Sequence, residues 1–546
     1  MPVSGAYVFG AYPLDVDVAY AKNRAAANQW TFYYLTVAQA SAYLQDEWKL
    51  TKNVKLTYGL RVDAPSYSNA SFKNPNFNND GTFKGTFQEG SPTIANNDPQ
   101  VLFDANGNRV SNGVGKDLDN TRFPTRKPLL SPRIGFNWDV NGDRTAVLRG
   151  GTGLFTGRFP FVWLGNQQAN PYTGFYNATD KNFQWPQVWR NNLGFDYKFK
   201  TGTVISADVA YTKDRRAMMV RNYNLGIPTG VLNSGTGDNR KIYKATDKGT
   251  DGPFTTNNTY VFTNAKNTGY QFNTSLQAVQ TFKNGLYLQA SYNYLIAEDA
   301  SSISAEISSD AFDRNPILNN ANEARNSTSL YGNTHRFVIA GIKKFEYGKD
   351  KMYATTVSLF SSWTSGDRFA YVYGGDINND GTGTNDLLYV PTDAEIGSMT
   401  FTNYLDALGV TQSPATQQAA FKNYIASDKY LSSRRGQYTE KYAGSTPWFS
   451  QVDIRVLQDF IFKNGKKRNT VQLSLDIQNF GNLVNSNWGV RKLATNSGFY
   501  QPISIAGFGG SGKPQFNFDP STKSTFTASP DLFSRWQMQF GVRYIF

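Results

Sequence analysis

Oxygen-bearing side chains are concentrated in one polar segment, at a spacing that could bind a hard metal ion. Residues 376–381 read Asp-Ile-Asn-Asn-Asp-Gly, which matches the start of a calcium-binding loop with ligands at positions 1, 3 and 5 and glycine at position 6. The twelfth position, where such loops carry glutamate, is Leu387. The missing glutamate favours an Asx-rich turn without a metal over a calcium site. The calcium interpretation uses these ligands: Asp376, Asn378, Asp380, Thr382 and Asp386.

The sequence is poor in cysteine and histidine, two residue types that often act as nucleophiles or general bases in enzymes. Cysteine is absent and histidine occurs once, at His335, so thiolate catalysis is excluded and a Ser-His-Asp triad would have to use that residue. The glycine-rich run 149–153 lacks the Lys-Ser/Thr pair of a phosphate-binding loop, and we expect its glycines to lie in a strand. We therefore expect no enzyme, no catalytic residue and no cofactor other than the calcium ion considered above.

The composition narrows the class of protein. Of the 546 residues, 15% are aromatic and 18% are charged, and the mean hydropathy is −0.50. No run approaches the roughly 20 consecutive apolar residues that a transmembrane helix needs. A membrane protein of this composition must therefore cross the membrane with strands. The net charge of +13 comes from scattered Lys and Arg without a nucleic-acid-binding motif, so we expect no nucleic acid partner.

Polar and apolar residues alternate in segments that pair into hairpins. Within residues 54–62 the even-numbered side chains are apolar and the odd-numbered ones are mostly polar, as in a strand with one face on lipid. A short turn at residues 51–53 joins this segment to the one before it. Five more hairpins follow the same plan: 134–140 with 147–155, 193–199 with 205–211, 270–280 with 286–296, 337–345 with 352–361, and 452–460 with 471–477.

Long polar segments separate these hairpins. Short turns alternating with long connections are typical of an outer-membrane barrel, whose periplasmic turns are tight and whose extracellular loops are long. The sequence therefore predicts an all-β fold, a transmembrane antiparallel up-and-down β-barrel, with residues 1–546 as a single domain. Residues 414–431 are expected to be helical within an extracellular loop. The long segments are 64–130, 214–257, 298–328, 366–447 and 481–530.

The end of the chain has the most regular alternation. From residue 536 to residue 546 every second side chain is apolar, and the last residue is aromatic. This ending resembles the signal by which outer-membrane proteins are recognised by the barrel-assembly machinery. The predicted signal residues are Phe540, Val542, Tyr544 and Phe546.

Counting strands gives an even number, as single-chain bacterial barrels require. Six hairpins, the final strand and one ascending strand expected within residues 5–38 make about 14. One residue breaks the pattern, because Asp46 falls on the apolar face of the first hairpin. A bulge or a misplaced strand boundary is expected there.

Several segments together resemble one family. The hairpin motifs at residues 43–48 and 58–63 are similar to those of TonB-dependent transporter barrels, and three further segments are similar to the Oar-like branch of that family: 131–138, 149–155 and 476–483. Large barrels of this class have 22 strands around a plugged lumen. The resemblance therefore implies that this chain is the C-terminal part of such a barrel, with the plug and the signal peptide outside it. A smaller stand-alone barrel is the alternative.

The resemblance also implies a function and a set of partners. It predicts TonB-dependent transport of an unidentified ligand across the bacterial outer membrane, with this chain supplying the wall and the extracellular loops. The implied partners are outer-membrane lipid and lipopolysaccharide, the TonB complex acting through a plug, the barrel-assembly machinery and a surface lipoprotein. A plugless pore or a surface adhesin built from the same strands is the alternative.

Overall fold

A continuous antiparallel sheet of long strands forms the wall of the molecule. The computed structural model describes residues 35–67, 122–169, 176–248, 259–303, 305, 307–464, 467–494 and 498–546. Each wall strand pairs with the next one along the chain. Their bounds are β1 (Val37–Lys49), β2 (Val54–Tyr67), β3 (Leu129–Asp139), β4 (Ala146–Thr156), β5 (Gln187–Lys198), β6 (Val204–Asn222), β7 (Tyr270–Thr281), β8 (Leu286–Asp299), β9 (His335–Tyr347), β10 (Tyr353–Thr364), β11 (Phe449–Asn464), β12 (Lys467–Gln478) and β13 (Gln537–Ile545).

The six hairpins predicted from the sequence are all confirmed. Each joins two antiparallel wall strands through a short turn, beginning with β1–β2 and ending with β11–β12. Gly202 and Gly285 lie in two of these turns with φ values of +86° and +79°, a left-handed conformation that glycine adopts without a steric penalty. The strands extend beyond the predicted segments mainly at the opposite end, where β6 reaches Asn222.

The two faces of the wall differ in polarity as the alternation predicts. Cross-strand pairs such as Leu193 with Val209 place apolar side chains on the same face, and both are exposed. Asp196 and Asp208 lie on the other face, where both bond to the Arg149 guanidinium. The wall therefore has one side suited to lipid and one suited to water.

Asp46 corrects one expectation from the sequence. The β1–β2 register runs without interruption through the Asp46–Tyr58 pair, so the expectation of a bulge or a misplaced boundary is wrong. Asp46 does share a face with apolar neighbours, and Tyr58 Oη donates a 2.7 Å hydrogen bond to its carboxylate. The site lies close to the turn, where a polar pair can reach the membrane surface.

The wall is open between its first and last strands within the described residues. Thirteen strands pair in chain order, so β1 and β13 run in the same direction. An antiparallel barrel closes on an even number of strands, so closure needs an odd number of additional strands. The ascending strand predicted within residues 5–38 lies outside the described residues, apart from residues 35 and 36, which precede β1, and residues 37 and 38, which begin it.

Smaller elements lie between the wall strands. The helices are α1 (Val162–Ala169), α2 (Ser308–Asp313), α3 (Asp393–Ser398), α4 (Pro414–Ser427), α5 (Lys429–Ser433) and α6 (Phe480–Val484), with 3-10 turns at Ala245–Asp247, Lys349–Lys351 and Leu532–Ser534. None of the helices in the described residues is long and apolar enough to cross a membrane. The short strands are Tyr176–Thr179, Gly230–Val231, Lys241–Ile242, Thr259–Lys266, Ser327–Thr328, Arg368–Tyr371, Tyr389–Val390, Thr400–Phe401, Tyr404–Leu405, Thr411–Gln412, Gln437–Tyr438, Gly444–Ser445, Lys492–Leu493, Phe499–Tyr500, Ser504–Phe508, Pro514–Asn517 and Thr527–Ala528.

The predicted helical stretch 414–431 is confirmed as two consecutive helices. Ser413 caps α4 by accepting a hydrogen bond from the Thr416 amide, and Pro414 occupies the first helical turn. Asp428 ends α4 in an extended conformation and caps α5 through the amides of Tyr430 and Leu431.

Gly194 in β5 leaves the space that the wall ion pair needs. A Cβ atom at residue 194 would collide with the side chains of Asp208 and Arg149. We predict that Gly194→Leu lowers the stability of the wall by about 1–3 kcal/mol or more, because it overpacks the face and breaks that pair. The folded fraction is measured by heat-dependent migration of the purified protein in detergent gels.

Gly165→Ala in α1 is the matched control, because a Cβ atom there meets nothing within 4 Å. Equal folded fractions for the two variants would contradict the prediction.

Candidate functional site in the packed long connections

The described parts of the long connections between hairpins fold into one packed unit, here called the loop body. It comprises the described residues of the connections between β2 and β3, β4 and β5, β6 and β7, β8 and β9, β10 and β11, and β12 and β13. One of its apolar clusters holds fully buried aromatic side chains from several connections, including Trp163, Phe183, Trp185 and Phe262. The Trp163 and Phe262 rings stack at 5.4 Å, and Trp185 Nε1 donates a 2.5 Å hydrogen bond to Tyr67 Oη at the end of β2. This cluster therefore anchors the loop body to the wall.

A second cluster joins the β10–β11 and β12–β13 connections. Phe421 and Tyr424 of α4 pack against Phe518 at ring distances of 5.2 and 5.6 Å. Each aromatic side chain of this kind buries roughly 150–250 Å² of surface. Such burial gives the connections a hydrophobic core of their own.

Arg240 is a fully buried cation within the loop body. Its guanidinium pairs with Asp238 at 2.9 Å and with Asp386 at 3.2 Å, and donates to the Leu387 carbonyl at 2.7 Å. The ring of Tyr373 lies 5.0 Å from the guanidinium carbon. Burial raises the pKa of Asp386 to about 7, although Arg240 acts in the opposite direction. Arg240 therefore ties the β6–β7 connection to the β10–β11 connection.

The predicted calcium-loop residues lie close together beside this ion pair. Asp376 accepts hydrogen bonds from the amides of Asp380 and Gly381, at 3.1 and 2.8 Å. Asp380 is buried and accepts from the Thr382 amide at 2.8 Å and from Asn378 Nδ2 at 3.3 Å. Segment 376–386 is thus a sequence of Asx turns around buried oxygens.

Two of the five predicted ligands, Asp386 and Thr382, bond to side chains outside segment 376–386. Both carboxylate oxygens of Asp386 are engaged, one by Arg240 and one by the amides of Ile377 and Asn378. Thr382 Oγ1 donates a 3.1 Å hydrogen bond to Asp313. Among the described residues, no three His, Cys, Asp or Glu side chains converge closely enough to hold a metal ion.

A cavity of about 480 Å³ opens in the loop body beside α5. The rings of Tyr371 and Tyr430, which contribute to its lining, stack at 5.6 Å, and Asp428 accepts hydrogen bonds from Tyr371 and Thr525. Two exposed lysines lie at the cavity, whose full lining is Tyr371, Ser427, Asp428, Lys429, Tyr430, Gly444, Ser445, Pro447, Lys523, Ser524, Thr525 and Phe526. Its volume suits a small ligand, with aromatic faces for stacking and hydroxyl or ammonium groups for polar contacts.

Lys441 is buried in the loop body and fixes two connections to each other. Its Nζ donates to the Ala300 carbonyl at 2.9 Å and to Asn315 Oδ1 at 2.7 Å. Burial lowers the pKa of Lys441 to about 8, with Asp299 acting weakly in the opposite direction.

The other residues considered from the sequence lie in the wall. His335 begins β9, bonds Tyr292 Oη at 2.9 Å and stacks on Trp448, so it lies in an aromatic group where the wall meets the loop body. The glycine-rich run 149–153 lies within β4, as expected. The predicted assembly-signal residues lie at the last strand, where Phe540, Val542 and Phe546 are 75%, 78% and 86% exposed and Tyr544 is 52% exposed.

Sequence reasoning missed Arg240, Asn385, Lys441 and the cavity. Asp386 is 146 residues from Arg240 along the chain, and Lys441 is 141 residues from Ala300. No local spacing reports such contacts. In the sequence these residues are charged or polar members of long loop segments, and nothing in their spacing marks them as buried.

Comparisons with known proteins agree with this architecture. The sequence profile of the family described as "Outer membrane beta barrel domain" matches residues 16–172 and 158–507. No curated protein sequence matches the chain.

Several solved structures are similar in part. The outer membrane transporter YddB from Escherichia coli has a TM-score of 0.40 and 11% identity, over 93% of this chain and 45% of that one. The FrpB iron transporter from Neisseria meningitidis has a TM-score of 0.37 and 8% identity, over 86% of this chain and 44% of that one. The ferric-catecholate import receptor Fiu from Escherichia coli K12 has a TM-score of 0.38 and 10% identity, over 94% of this chain and 45% of that one. The chain spans less than half the length of these structures.

Removing the buried guanidinium should loosen the loop body. Arg240→Met leaves Asp238 and Asp386 buried without their cation, so we expect a loss of about 3–5 kcal/mol. Arg240→Lys keeps the charge but loses the planar fork, and should cost less. The rate of limited proteolysis within the loop body measures the effect.

Arg314→Met is the matched control, since its partly exposed pair with Asp310 should contribute only about 0–1 kcal/mol. Cleavage of Arg240→Met no faster than that of Arg314→Met would refute the assigned role.

Lys441 should make the stability of the loop body depend on pH. Its pKa in the folded chain is about 8, against 10.5 for the ordinary side chain, so between these values the unfolded chain holds a proton that the folded chain has released. Stability therefore rises with pH through this window. We expect the unfolding temperature to increase from about pH 8 to about pH 10 by more in the native protein than in Lys441→Met.

Lys429→Met, which removes an exposed lysine of the same connection, should keep the native pH dependence. The same pH dependence in all three proteins would count against a buried, protonatable Lys441.

Proposed function

The chain belongs to the outer membrane beta barrel domain family, and we propose that it forms the wall and extracellular loops of a TonB-dependent transporter that imports a ligand across the bacterial outer membrane. The observation that carries the proposal is the packing of the long connections into one body at one end of a wall from this family. Long connections of outer-membrane barrels face the cell exterior. The loop body is then the first part of the protein that a ligand meets.

The loop body has features that ligand capture requires. Its buried aromatic clusters and the Arg240 ion pairs hold the connections in defined positions, so they present a formed surface. The cavity beside α5 combines stacked tyrosine rings, hydroxyl groups and two exposed lysines. A hydroxylated or anionic ligand with a flat apolar part suits this lining.

The wall has features that passage through a barrel requires. Its polar face carries the Arg149 pairs with Asp196 and Asp208, and its apolar face carries exposed aliphatic and aromatic side chains. In this proposal the chain is the C-terminal part of a 22-stranded barrel of the Oar-like branch. A plug outside this chain occupies the lumen and couples it to the TonB complex.

The remaining partners belong to the same proposal. Outer-membrane lipid and lipopolysaccharide contact the apolar face, and the barrel-assembly machinery reads the last strand through Phe540, Val542, Tyr544 and Phe546. Exposure of these side chains on the terminal strand supports that role. A surface lipoprotein would contact the loop body from outside.

The proposal is tested with the complete gene product purified from outer membranes and inserted into planar bilayers. A plugged transporter should give no large steady conductance, whereas a general porin inserted under the same conditions should. In the producing bacterium, deletion of the gene and deletion of tonB should cause the same growth defect on at least one scarce nutrient from a panel of iron chelates, cobalamin and oligosaccharides.

Large steady conductance of the complete product would establish the plugless pore instead. A growth defect that tonB deletion does not reproduce would also overturn energy-dependent import. Loss of surface attachment with unchanged growth on every nutrient would establish the adhesin.

A further inference from the structure

Negative charge exceeds positive charge around segment 376–386. Asp376, Asp380 and Asp386 lie on this one segment, Asp238 shares the guanidinium with Asp386, and Asp313 bonds to Thr382 at its edge. Among the described residues, three cations lie near these five carboxylates. Arg240 is fully buried, and Lys248 Nζ bonds the Asn379 carbonyl and side chain at 2.9 and 3.0 Å. Arg314 lies near Asp313 but pairs with a sixth carboxylate, Asp310, at 2.9 Å. Buried carboxylates without enough cations are unfavourable. The segment therefore lacks positive charge.

One buried side-chain oxygen of this segment indicates where a cation would bind. Asn385 is fully buried, and its Nδ2 donates a 3.0 Å hydrogen bond to the Asp380 carboxylate. The other atom of the same amide, Asn385 Oδ1, has no hydrogen-bond partner among the described residues. A buried amide oxygen without a donor is unfavourable, and a metal ion is one group that satisfies it.

We propose that segment 376–386 binds one Ca²⁺ ion through Asp376, Asn378, Asp380 and Asn385. Each of these side chains supplies an oxygen, and calcium accepts carboxylate and amide oxygens in a flexible arrangement of six to eight ligands. The set contains no nitrogen or sulfur donor, which disfavours zinc and copper. This inference is independent of the proposed transport function.

This ligand set differs from the one that the sequence suggested. Asp386 is engaged by Arg240, so the fully buried neighbour Asn385 takes its place near the end of the loop. Because the set uses two carboxylates and two amides, it does not require three acidic side chains to converge. Thr382 stays with Asp313 through its hydroxyl group.

A cation here would hold several connections together. The Tyr243 amide donates to the Asn378 carbonyl at 2.8 Å, and the Ile317 amide donates to the Asn385 carbonyl at 2.8 Å. The Ile505 amide bonds the Gly374 carbonyl at 2.6 Å, immediately before the segment. Four connections thus meet at segment 376–386, and binding of Ca²⁺ to the folded form should stabilise the whole loop body.

The test uses the full-length protein in detergent, stripped with a chelator and titrated with CaCl₂ in a calorimeter. We expect one strong site per chain and slower proteolysis of the loop body with Ca²⁺ than with chelator. Asp380→Asn and Asn385→Leu should each weaken binding by about tenfold or more. Asp406→Asn is the matched control, because Asp406 caps an exposed turn in the same connection and should leave binding unchanged.

Each outcome decides the proposal. Absence of Ca²⁺ binding by the native protein, with equal proteolysis in Ca²⁺ and in chelator, would show that the segment is an Asx-rich turn only. Binding that is undiminished in both folded variants would place the ion elsewhere, for example on residual lipopolysaccharide. If Asp380→Asn fails to fold, Asn385→Leu and the chelator experiment on the native protein still decide the question.

Discussion

Hydrogen bonding of the backbone in lipid is the constraint on which this architecture depends. The hydrocarbon core supplies no partner for an N–H or C=O group, so a strand can cross only if neighbouring strands satisfy it on both sides. The unbroken ladder from β1 to β13 meets this requirement for every strand between its two ends. The same requirement fixes the alternation of side chains, because one face of each strand then meets lipid and the other meets the interior.

The loop body is not constrained by lipid and is stabilised by other interactions than the wall. Water satisfies its surface, so it is free to use helices, short strands and irregular segments, and it is held by burial of aromatic side chains around Trp163, Trp185 and Phe421. Tyr67 connects the wall to the loop body, since it ends wall strand β2 and accepts the Trp185 hydrogen bond within the first apolar cluster. The position of the loop body therefore follows from the wall, while its internal order does not.

Buried charged residues fix the relative positions of the connections in the loop body more precisely than apolar packing alone. Arg240 must lie where Asp238, Asp386 and the Leu387 carbonyl meet, because a guanidinium without those partners would not be buried. Segment 376–386 lies beside that position and carries an excess of carboxylates. A ligand-facing surface held in this way is defined before any ligand arrives.

The sequence by itself determined the wall: alternation, short turns and the aromatic ending predicted all six hairpins, and residues 414–431 predicted the helices of the largest connection. These features are local, since each depends on residues within a few positions of one another. The tertiary structure alone decided the Arg240–Asp386 pair, the burial of Asn385 and Lys441, the regular pairing of Asp46 and the cavity at Tyr430. These depend on contacts between residues as much as 154 positions apart, and on packing that no periodic pattern encodes. The side chains of a strand alternate between two faces, so the sequence shows which residues share a face. A loop that folds around buried charged residues has no such repeat, so its contacts are seen only in the folded structure.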